Sequence, residues 1–153
     1  MIEVILEDAR WEAAGLEVLS GPAARQALAV TGRLEYGFEI VIMGCDDARI
    51  ASLNADFRGK PVPTNVLSWP ATENPPTKGA MPEIGLGDIA IAFDTCTHEA
   101  AEKGISVQDH VTHLVIHGVL HLLGYDHMND TEAEEMEALE IIALAKLGID
   151  NPY

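Results

Sequence analysis

Cysteines are rare in this sequence. The chain has only two, Cys45 and Cys96, which lie far apart and have no neighbouring cysteine at the spacing of metal ligands. Neither a disulfide framework nor a thiolate metal site is therefore expected. Because free cysteine behaves as a small apolar side chain, we predict that both residues lie in the core.

Long apolar runs are also missing. No run reaches the roughly 18 residues that a membrane-spanning helix requires. The opening MIEVILEDARWEAAG carries acidic side chains where a secretory signal peptide needs positive charge. We therefore expect a cytoplasmic protein without a membrane partner.

Basic side chains are few. Nine lysines and arginines stand against twenty-five acidic residues, a formal net charge of −16, which repels polyanions and counts against a broad nucleic-acid-binding surface. A small basic site is compatible with this charge, because four of the nine basic residues fall in the stretch 49–78 beside only two acidic ones. These four are Arg49, Arg58, Lys60 and Lys78.

Size and apolar content suffice for one packed domain. The chain has 153 residues, of which 48% are apolar and 22% charged. A domain of this length buries roughly 70% of the surface that its unfolded chain exposes. Because the sequence has no internal repeat and no domain boundary, we predict that residues 1–153 form one domain.

Alternating apolar segments predict four strands. They cover residues 2–7, 37–44, 65–69 and 86–93. In the second strand, Phe38, Ile40 and Ile42 share one face. Six of the eight prolines fall between residues 61 and 82, which predicts a long loop around the third strand, and a long loop in a compact domain is more often functional than not.

Helix starts are predicted from capping residues and helix ends from glycines. Gly21 and Pro22 are expected to separate two short helices over residues 11–19 and 22–30. Asp46 is expected to cap a helix that stops at Gly59.

The later helices follow the same signals. One is expected to start at Asp94 or Thr95 and to end near Gly104, and the last to run from Thr131 to Gly148. The apolar stripe of that last helix comprises Ala133, Met136, Leu139, Ile142, Ala143 and Leu147. Together these elements predict an α+β fold, a small mixed sheet packed by about five helices.

Four of the six histidines lie on one predicted helix. Ser106 and Asp109, three residues apart, form a capping box that starts it. At about 100° per residue the four imidazoles project within roughly 80° of one another, and the rest of the helix is apolar, which is typical of a buried central helix. A buried imidazole without a partner costs roughly 1 to 3 kcal/mol, so these side chains need ligands or hydrogen bonds. They are His110, His113, His117 and His121.

Three histidines have the spacing of a catalytic metal centre at the end of this helix. His117 and His121 are four residues apart and face the same side. Gly124 can end the helix in a left-handed conformation, and the chain can then return His127 to the same point. The string H-x-x-x-H-x-x-G-x-x-H supplies three imidazoles and leaves one metal position open, as catalytic zinc sites do. Nickel, copper and cobalt accept the same ligands.

The other histidines are given lesser roles. His110 and His113 are expected to support the ligands, to face solvent or to bind the metal directly, and His98 is expected to lie on the surface. For any one histidine alone, a core imidazole bonded to backbone carbonyls is the better interpretation. That interpretation weakens for three histidines at this spacing around a glycine that ends a helix.

The same spacing occurs in the metzincin zinc proteases, with one difference. Those enzymes carry a general-base glutamate directly after the first histidine, where this chain has Gly118. A metallopeptidase would have to recruit Asp126, Asp88 or another carboxylate as its base, so this function is kept only as an alternative.

The sequence resembles the YbeY endoribonucleases, also called rRNA maturation factors. The resemblance spans most of residues 38–127, through LNADFRGKPVPTNVLSWP, LGDIAIAFDT and HLVIHGVLHLLGYDH, in the order of the family. The last block is highly specific because it joins the three candidate ligands to the substituted glycine. Pro61 and Val62 stand where many members have an acid and a lysine, and Trp69 where phenylalanine is usual.

The resemblance implies a single-strand-specific endoribonuclease that acts in ribosomal RNA maturation, including the 3′ end of small-subunit RNA, and in ribosome quality control. It implies a zinc ion at His117, His121 and His127. It also implies single-stranded or ribosomal RNA as substrate, and the small ribosomal subunit with its proteins as partners. The family's important arginine falls on Arg58.

Residues for phosphodiester cleavage can be suggested from their chemistry. The planar guanidinium of Arg58 suits bidentate binding of a phosphate. Asp126 could orient a histidine or shuttle a proton, or it could simply stabilise the turn before His127. Asn65, Ser68 and Asp88 are further candidates for lining the cleft.

A second class of function is a ribosome-assembly or binding factor whose metal is structural and therefore has a fourth protein ligand.

Overall fold

The computed structural model describes residues 1–71 and 85–153, whose strands form one mixed sheet. The sheet has the order β1-β2-β4-β3. Strands β1, β2 and β4 run parallel, whereas the edge strand β3 is antiparallel to β4. The strand bounds are β1 (Ile2–Leu6), β2 (Glu39–Cys45), β3 (Val66–Pro70) and β4 (Gly85–Ala92).

Within the described ranges six helices pack around this sheet, which confirms the predicted α+β class. Their bounds are α1 (Arg10–Ala13), α2 (Leu16–Val30), α3 (Asp47–Arg58), α4 (Phe93–Lys103), α5 (Val107–Leu122) and α6 (Asp130–Lys146), with a 3₁₀ helix at Leu34–Tyr36. No helix in the described ranges is long and apolar enough to cross a membrane.

The two faces of the sheet carry cores of different size. On one face, buried strand residues such as Ile40, Ile42 and Ile89 pack with α2, α5 and α6. On the other face a smaller cluster forms beneath α3 around Ile50 and Leu67. The predicted apolar face of β2 is confirmed, and so is the burial of both cysteines as free thiols.

The predicted break between the first two helices is in the wrong place. The chain breaks at Gly15, which has a left-handed backbone with φ +82°, and α2 then runs without interruption through Gly21 and Pro22. A proline inside a helix removes the hydrogen bond to the carbonyl four residues earlier. Here that carbonyl belongs to Val18, which is 80% exposed, so solvent can replace the missing donor.

The predicted start of α4 is also wrong. The helix begins at Phe93, and neither Asp94 nor Thr95 caps it. Asp94 instead accepts a hydrogen bond from the Arg10 guanidinium at 2.8 Å, and the Thr95 hydroxyl donates to Asp47 at 2.8 Å. Both side chains connect α4 to earlier helices, so long-range contacts have taken the groups that a local cap would use. The predicted end at Gly104 is confirmed.

Helix α6 starts one residue earlier than expected, and its predicted apolar stripe is confirmed except at one position. Asn129 caps it by accepting a hydrogen bond from the Glu132 N–H at 2.9 Å. Ile142, assigned to the buried stripe, is 49% exposed. Glu140 and Leu144 are buried instead. The sequence pattern excluded Glu140 because it is charged, yet the carboxylate finds polar partners on α5.

One stability prediction follows from the contact between β2 and α1. A Cβ atom added at Gly44 would lie 2.5 Å from the Trp11 ring. The ring cannot easily yield, since its Nε1–H donates to the Cys45 carbonyl at 3.0 Å. Gly44→Ala is therefore expected to lower the free energy of unfolding by about 1 to 3 kcal/mol, measured by urea denaturation. Gly85→Ala is the control because no described atom would meet its Cβ within 4 Å. Equal losses in the two variants would contradict this explanation.

Candidate metal centre

Helix α5 begins and ends as its local sequence dictates. Ser106 Oγ accepts a hydrogen bond from the Asp109 N–H at 3.0 Å. At the other end Gly124 adopts φ +98°. Its N–H donates to the His121 carbonyl, and the Tyr125 N–H donates to the Leu120 carbonyl, both at 3.0 Å. This pair of bonds is the Schellman motif, which reverses the chain after α5.

The chain reversal brings three imidazoles together. Each of His117, His121 and His127 offers a ring nitrogen, and these nitrogens lie within 4.8 Å of one another. The Nε2 atoms of His117 and His121 are 3.0 Å apart. Two nitrogens bound to one tetrahedral ion at about 2.1 Å would lie roughly 3.3 Å apart, so His117 and His121 fit one metal ion with little adjustment, and His127 lies close enough to join them.

The donor set fits a catalytic rather than a structural ion. Within the described ranges this is the one group of histidine, cysteine or carboxylate side chains placed to share a metal, and it has three members. Three imidazoles leave a tetrahedral ion one free position. Zinc and other late first-row divalent ions accept such nitrogen ligands.

The protonation of His121 also suits ligation. Burial, helped by the nearby His117 and His127, lowers the pKa of His121 to about 4. The ring is therefore neutral at neutral pH, and its lone pair need not lose a proton before it binds a cation.

A buried carboxylate stands behind the first ligand. Glu140 Oε2 accepts a hydrogen bond from His117 Nδ1 at 2.8 Å, and Oε1 accepts one from His113 Nε2 at 2.6 Å. The Tyr153 hydroxyl also donates to Oε1. Burial alone would raise the pKa of Glu140, but these three hydrogen bonds outweigh it and bring the pKa to about 2. The carboxylate therefore keeps the proton of His117 on Nδ1 and leaves Nε2 free for a metal.

Sequence reasoning missed Glu140. A usable signal existed, because an acid stands where the apolar spacing of α6, through Met136 and Ala143, requires a buried residue. A charge at a core position of a helix indicates a polar partner on the facing element. Here the partners are two of the histidines on α5.

Loss of this carboxylate is expected to weaken metal binding. In Glu140→Gln the amide no longer offers two anionic acceptors to the rings of His113 and His117, so we expect about a 10- to 100-fold lower zinc affinity, measured by competition with a chromogenic chelator. Glu134→Gln, an exposed change on the same helix, should bind zinc like the wild type. Unchanged affinity in Glu140→Gln would refute this positioning role.

The remaining histidines are also accounted for. His110 is 1% exposed and lies 2.8 Å from Glu99 Oε1. Since His113 is buried too, the expectation that these two rings might face solvent is wrong. His98 lies on the surface as predicted, with a side chain 72% exposed.

A cavity of about 190 Å³ opens beside the three imidazoles. Arg58 lines it from the last turn of α3, and Asn65 and Ser68 line it from the β3 side. Lys78 lies outside the described residues, and of the other three basic residues singled out in the sequence Arg58 alone lines this cavity. Arg49 pairs with Glu7 at 3.3 Å. The cavity thus joins a cation to the three candidate ligands.

The two predicted aspartates lie elsewhere. Asp88 lines an apolar groove together with Met43 and Trp69 and does not line the imidazole cavity. Asp126 Oδ1 accepts a hydrogen bond from the His127 N–H at 2.8 Å. Its observed contact therefore fits the alternative that it stabilises the turn before His127.

Gly118 allows α5 to approach the sheet closely. A Cβ atom there would lie 3.0 Å from Ile89 Cδ1 on β4. The position thus serves helix–sheet packing, and it carries no carboxylate that could act as a metzincin base.

A three-imidazole centre that opens into a cation-bearing cavity defines a candidate metal-dependent hydrolase. The family model for endoribonuclease YbeY matches residues 18–148. The chain therefore belongs to the endoribonuclease YbeY family. This finding confirms the resemblance noted in the sequence and the enzyme class it implied.

Curated relatives match over nearly the whole chain. The protein named endoribonuclease YbeY from Paracoccus denitrificans is 54% identical, with 99% of this chain and 89% of the relative covered. The protein of the same name from Cereibacter sphaeroides is 52% identical, with 100% and 98% covered. The solution structure of TM1509 from Thermotoga maritima is similar with a TM-score of 0.66 at 25% identity, and 96% of this chain and 89% of that one are covered.

Proposed function

We propose that this chain cleaves single-stranded RNA at the centre formed by His117, His121 and His127, with one divalent metal ion, most simply zinc. The observation that carries the proposal is the meeting of three ligand nitrogens at the wall of a cavity that also holds Arg58. Membership of the endoribonuclease YbeY family supports RNA as the substrate.

The bound ion would supply Lewis-acid chemistry, polarising a phosphoryl oxygen or lowering the pKa of a water molecule. The chain's own residues prepare the site for it. Glu140 fixes the ring of His117 through Nδ1, and the Gly124 turn carries His127 back towards α5. Little reorganisation is then needed when substrate binds.

Arg58 is proposed to bind the phosphate that is cut. It is exposed, and no described carboxylate forms an ion pair with it, so its guanidinium is free to make two parallel hydrogen bonds to nonbridging oxygens. Charge neutralisation at these oxygens favours the transition state more than the ground state. For Asp126 we propose mainly the turn that positions His127, with proton transfer as a further role.

We propose ribosomal RNA as the target, including the 3′ end of small-subunit RNA, and the cytoplasm as the place of action. A chain with a net charge of −16 repels free RNA at long range. Docking on the small ribosomal subunit or its proteins would overcome that repulsion and present one single-stranded segment to the narrow cavity. The same docking would serve ribosome quality control.

The alternatives lack a supporting observation. A structural metal needs a fourth protein ligand, and the ligand group in the described ranges has three members. A metzincin-like peptidase needs a base, but position 118 is glycine and Asp88 does not line the cavity.

The test uses one RNA in two states. A fragment from the 3′ region of small-subunit RNA is prepared as a single strand and as a duplex with its complement. Each form is incubated with zinc-loaded protein, with chelator-treated protein and with chelator-treated protein to which zinc has been restored. We expect cleavage of the single strand alone, lost with the chelator and regained with zinc. Cleavage that survives complete metal removal, or equal cleavage of the duplex, would reject the proposal.

A further inference from the structure

A second cavity adjoins the imidazole cavity. It has a volume of about 200 Å³ and shares Asn65, Val66 and His117 with the first. Its other walls include Lys103 and His110, and we call it the Lys103 cavity. Because the two cavities have three lining residues in common, they lie side by side.

His110 presents an unused acceptor in this region. Its Nε2 lies 2.8 Å from Glu99 Oε1, and an ionised carboxylate can only accept, so Nε2 carries the hydrogen. Burial lowers the pKa of His110, which keeps the ring neutral and leaves a lone pair on Nδ1. That Nδ1 is buried and has no hydrogen-bond partner among the described residues. Buried polar atoms in folded proteins are rarely left without a partner, so this one indicates a missing donor.

Lys103 adds a positive charge at the rim. It is the last residue of α4 and is exposed, and no ion pair to it occurs within residues 1–71 and 85–153. Among residues 1–71 and 85–153, the two neighbouring cavities therefore carry one cation each, Arg58 in the first and Lys103 in the second. On a strongly acidic protein, two unpaired cations along one path favour a substrate with successive phosphates.

We propose that the Lys103 cavity binds one unpaired nucleotide next to the phosphate at the metal centre, with a base N–H donating to His110 Nδ1 and Lys103 neutralising an adjacent phosphate. The inference rests on the proposed function and names how its substrate is selected. The cavity volume of about 200 Å³ corresponds to roughly seven waters at about 30 Å³ each, which is room for one base.

This subsite would select against paired RNA. All four RNA bases carry an N–H donor on the Watson–Crick edge, so the acceptor on His110 does not choose among them. In a duplex one hydrogen of each donor group is already bonded to the opposite strand, and the second amino hydrogens of adenine, cytosine and guanine lie in the grooves of the helix, where an acceptor as buried as His110 Nδ1 cannot reach them. A nucleotide must therefore be unpaired to satisfy His110, which gives a physical source for single-strand preference.

Two variants test the subsite. Lys103→Ala removes the cation from an exposed position. The matched control is Lys146→Ala, because Lys146 is also an exposed lysine and lies in the last turn of α6. His110→Gln keeps an amide that can donate to Glu99 but lacks the Nδ1 acceptor. Zinc-loaded proteins are compared for kcat and KM on one single-stranded oligoribonucleotide. We expect KM to rise about fivefold or more in both subsite variants, with kcat changed less than twofold.

A second readout does not need cleavage. Nucleoside 5′-monophosphates are titrated into zinc-loaded wild type, Lys103→Ala and Lys146→Ala, and the backbone amide resonances of residues 103 and 110 are followed by NMR. We expect shifts in wild type and Lys146→Ala that weaken in Lys103→Ala. If KM and the nucleotide-induced shifts of these resonances are the same in Lys103→Ala and Lys146→Ala, the subsite is refuted while the nuclease proposal stands. If wild type fails to cleave RNA, the proposed function fails and the titration still decides whether the cavity binds nucleotides.

Discussion

His121→Ala is expected to lose its metal ion and to cleave single-stranded RNA about a thousandfold more slowly or worse. The variant keeps two imidazoles, and the ion would lose a ligand from the rigid end of α5. Metal ions contribute several kcal/mol to the stabilisation of transition-state charge, and each 1.36 kcal/mol is tenfold in rate. Cleavage rate and bound zinc per chain are measured on the same preparation.

The matched control for this change is His98→Ala. His98 is an exposed histidine on α4 and is absent from the ligand group, so the variant should keep full metal content and full cleavage. It also reports any contaminating nuclease, which would be common to both preparations. If folded His121→Ala protein cleaved RNA at the wild-type rate, the metal centre would not be required for cleavage.

Arg58→Ala is expected to cleave RNA about a hundredfold more slowly while its zinc content stays at the wild-type level. The guanidinium lines the cavity but is not among the ligands, and loss of one group that stabilises transition-state charge typically costs about 10²- to 10³-fold. Arg58→Glu should be worse because it places a negative charge near the phosphate. Arg58→Lys should recover only part of the rate, since lysine cannot bind bidentately.

Arg49→Ala is the control for this series. It removes an arginine from the same helix, where the side chain pairs with Glu7 at 3.3 Å, and it should leave cleavage unchanged. Equal rates for Arg58→Ala and Arg49→Ala would show that Arg58 does not act on the phosphate. Loss of zinc from Arg58→Ala would instead indicate a structural effect on the centre.

The candidate ligands could be predicted from sequence because the signals are local. The start of α5 depends on Ser106, its end on Gly124, and the third imidazole follows three residues after that glycine. Helix periodicity then fixes which side His117 and His121 face. A stretch of about twenty residues therefore contains the information that brings these side chains together.

The supporting residues could not be predicted because they depend on distant packing. Glu140 contacts His117 across a sequence separation of 23 residues, and the Tyr153 hydroxyl contacts His113 across a separation of 40 residues. Neither contact has a local pattern, since each depends on how α6 and the C-terminal residues dock against α5. The error in the predicted start of α4 has the same origin, because Asp94 binds the Arg10 guanidinium instead of capping its own helix.

Asp88 shows a further limit of sequence reasoning. Neighbouring residues of a strand point to opposite faces of the sheet, and on β4 Ile89 packs towards Gly118 of α5. Asp88 therefore points to the other face, into the apolar groove with Trp69. The strand was predicted, but the face that meets the metal centre is set by α5 packing on β4.

Stepwise zinc titration of metal-free protein, with bound zinc and RNA cleavage recorded at each addition, tests most directly whether three imidazoles hold the ion that the nuclease needs. We predict that binding saturates at one ion per chain and that cleavage rises in proportion to the bound fraction, with neither effect in His121→Ala. Full cleavage before any zinc is added, or saturation at one ion without any gain in cleavage, would contradict the account.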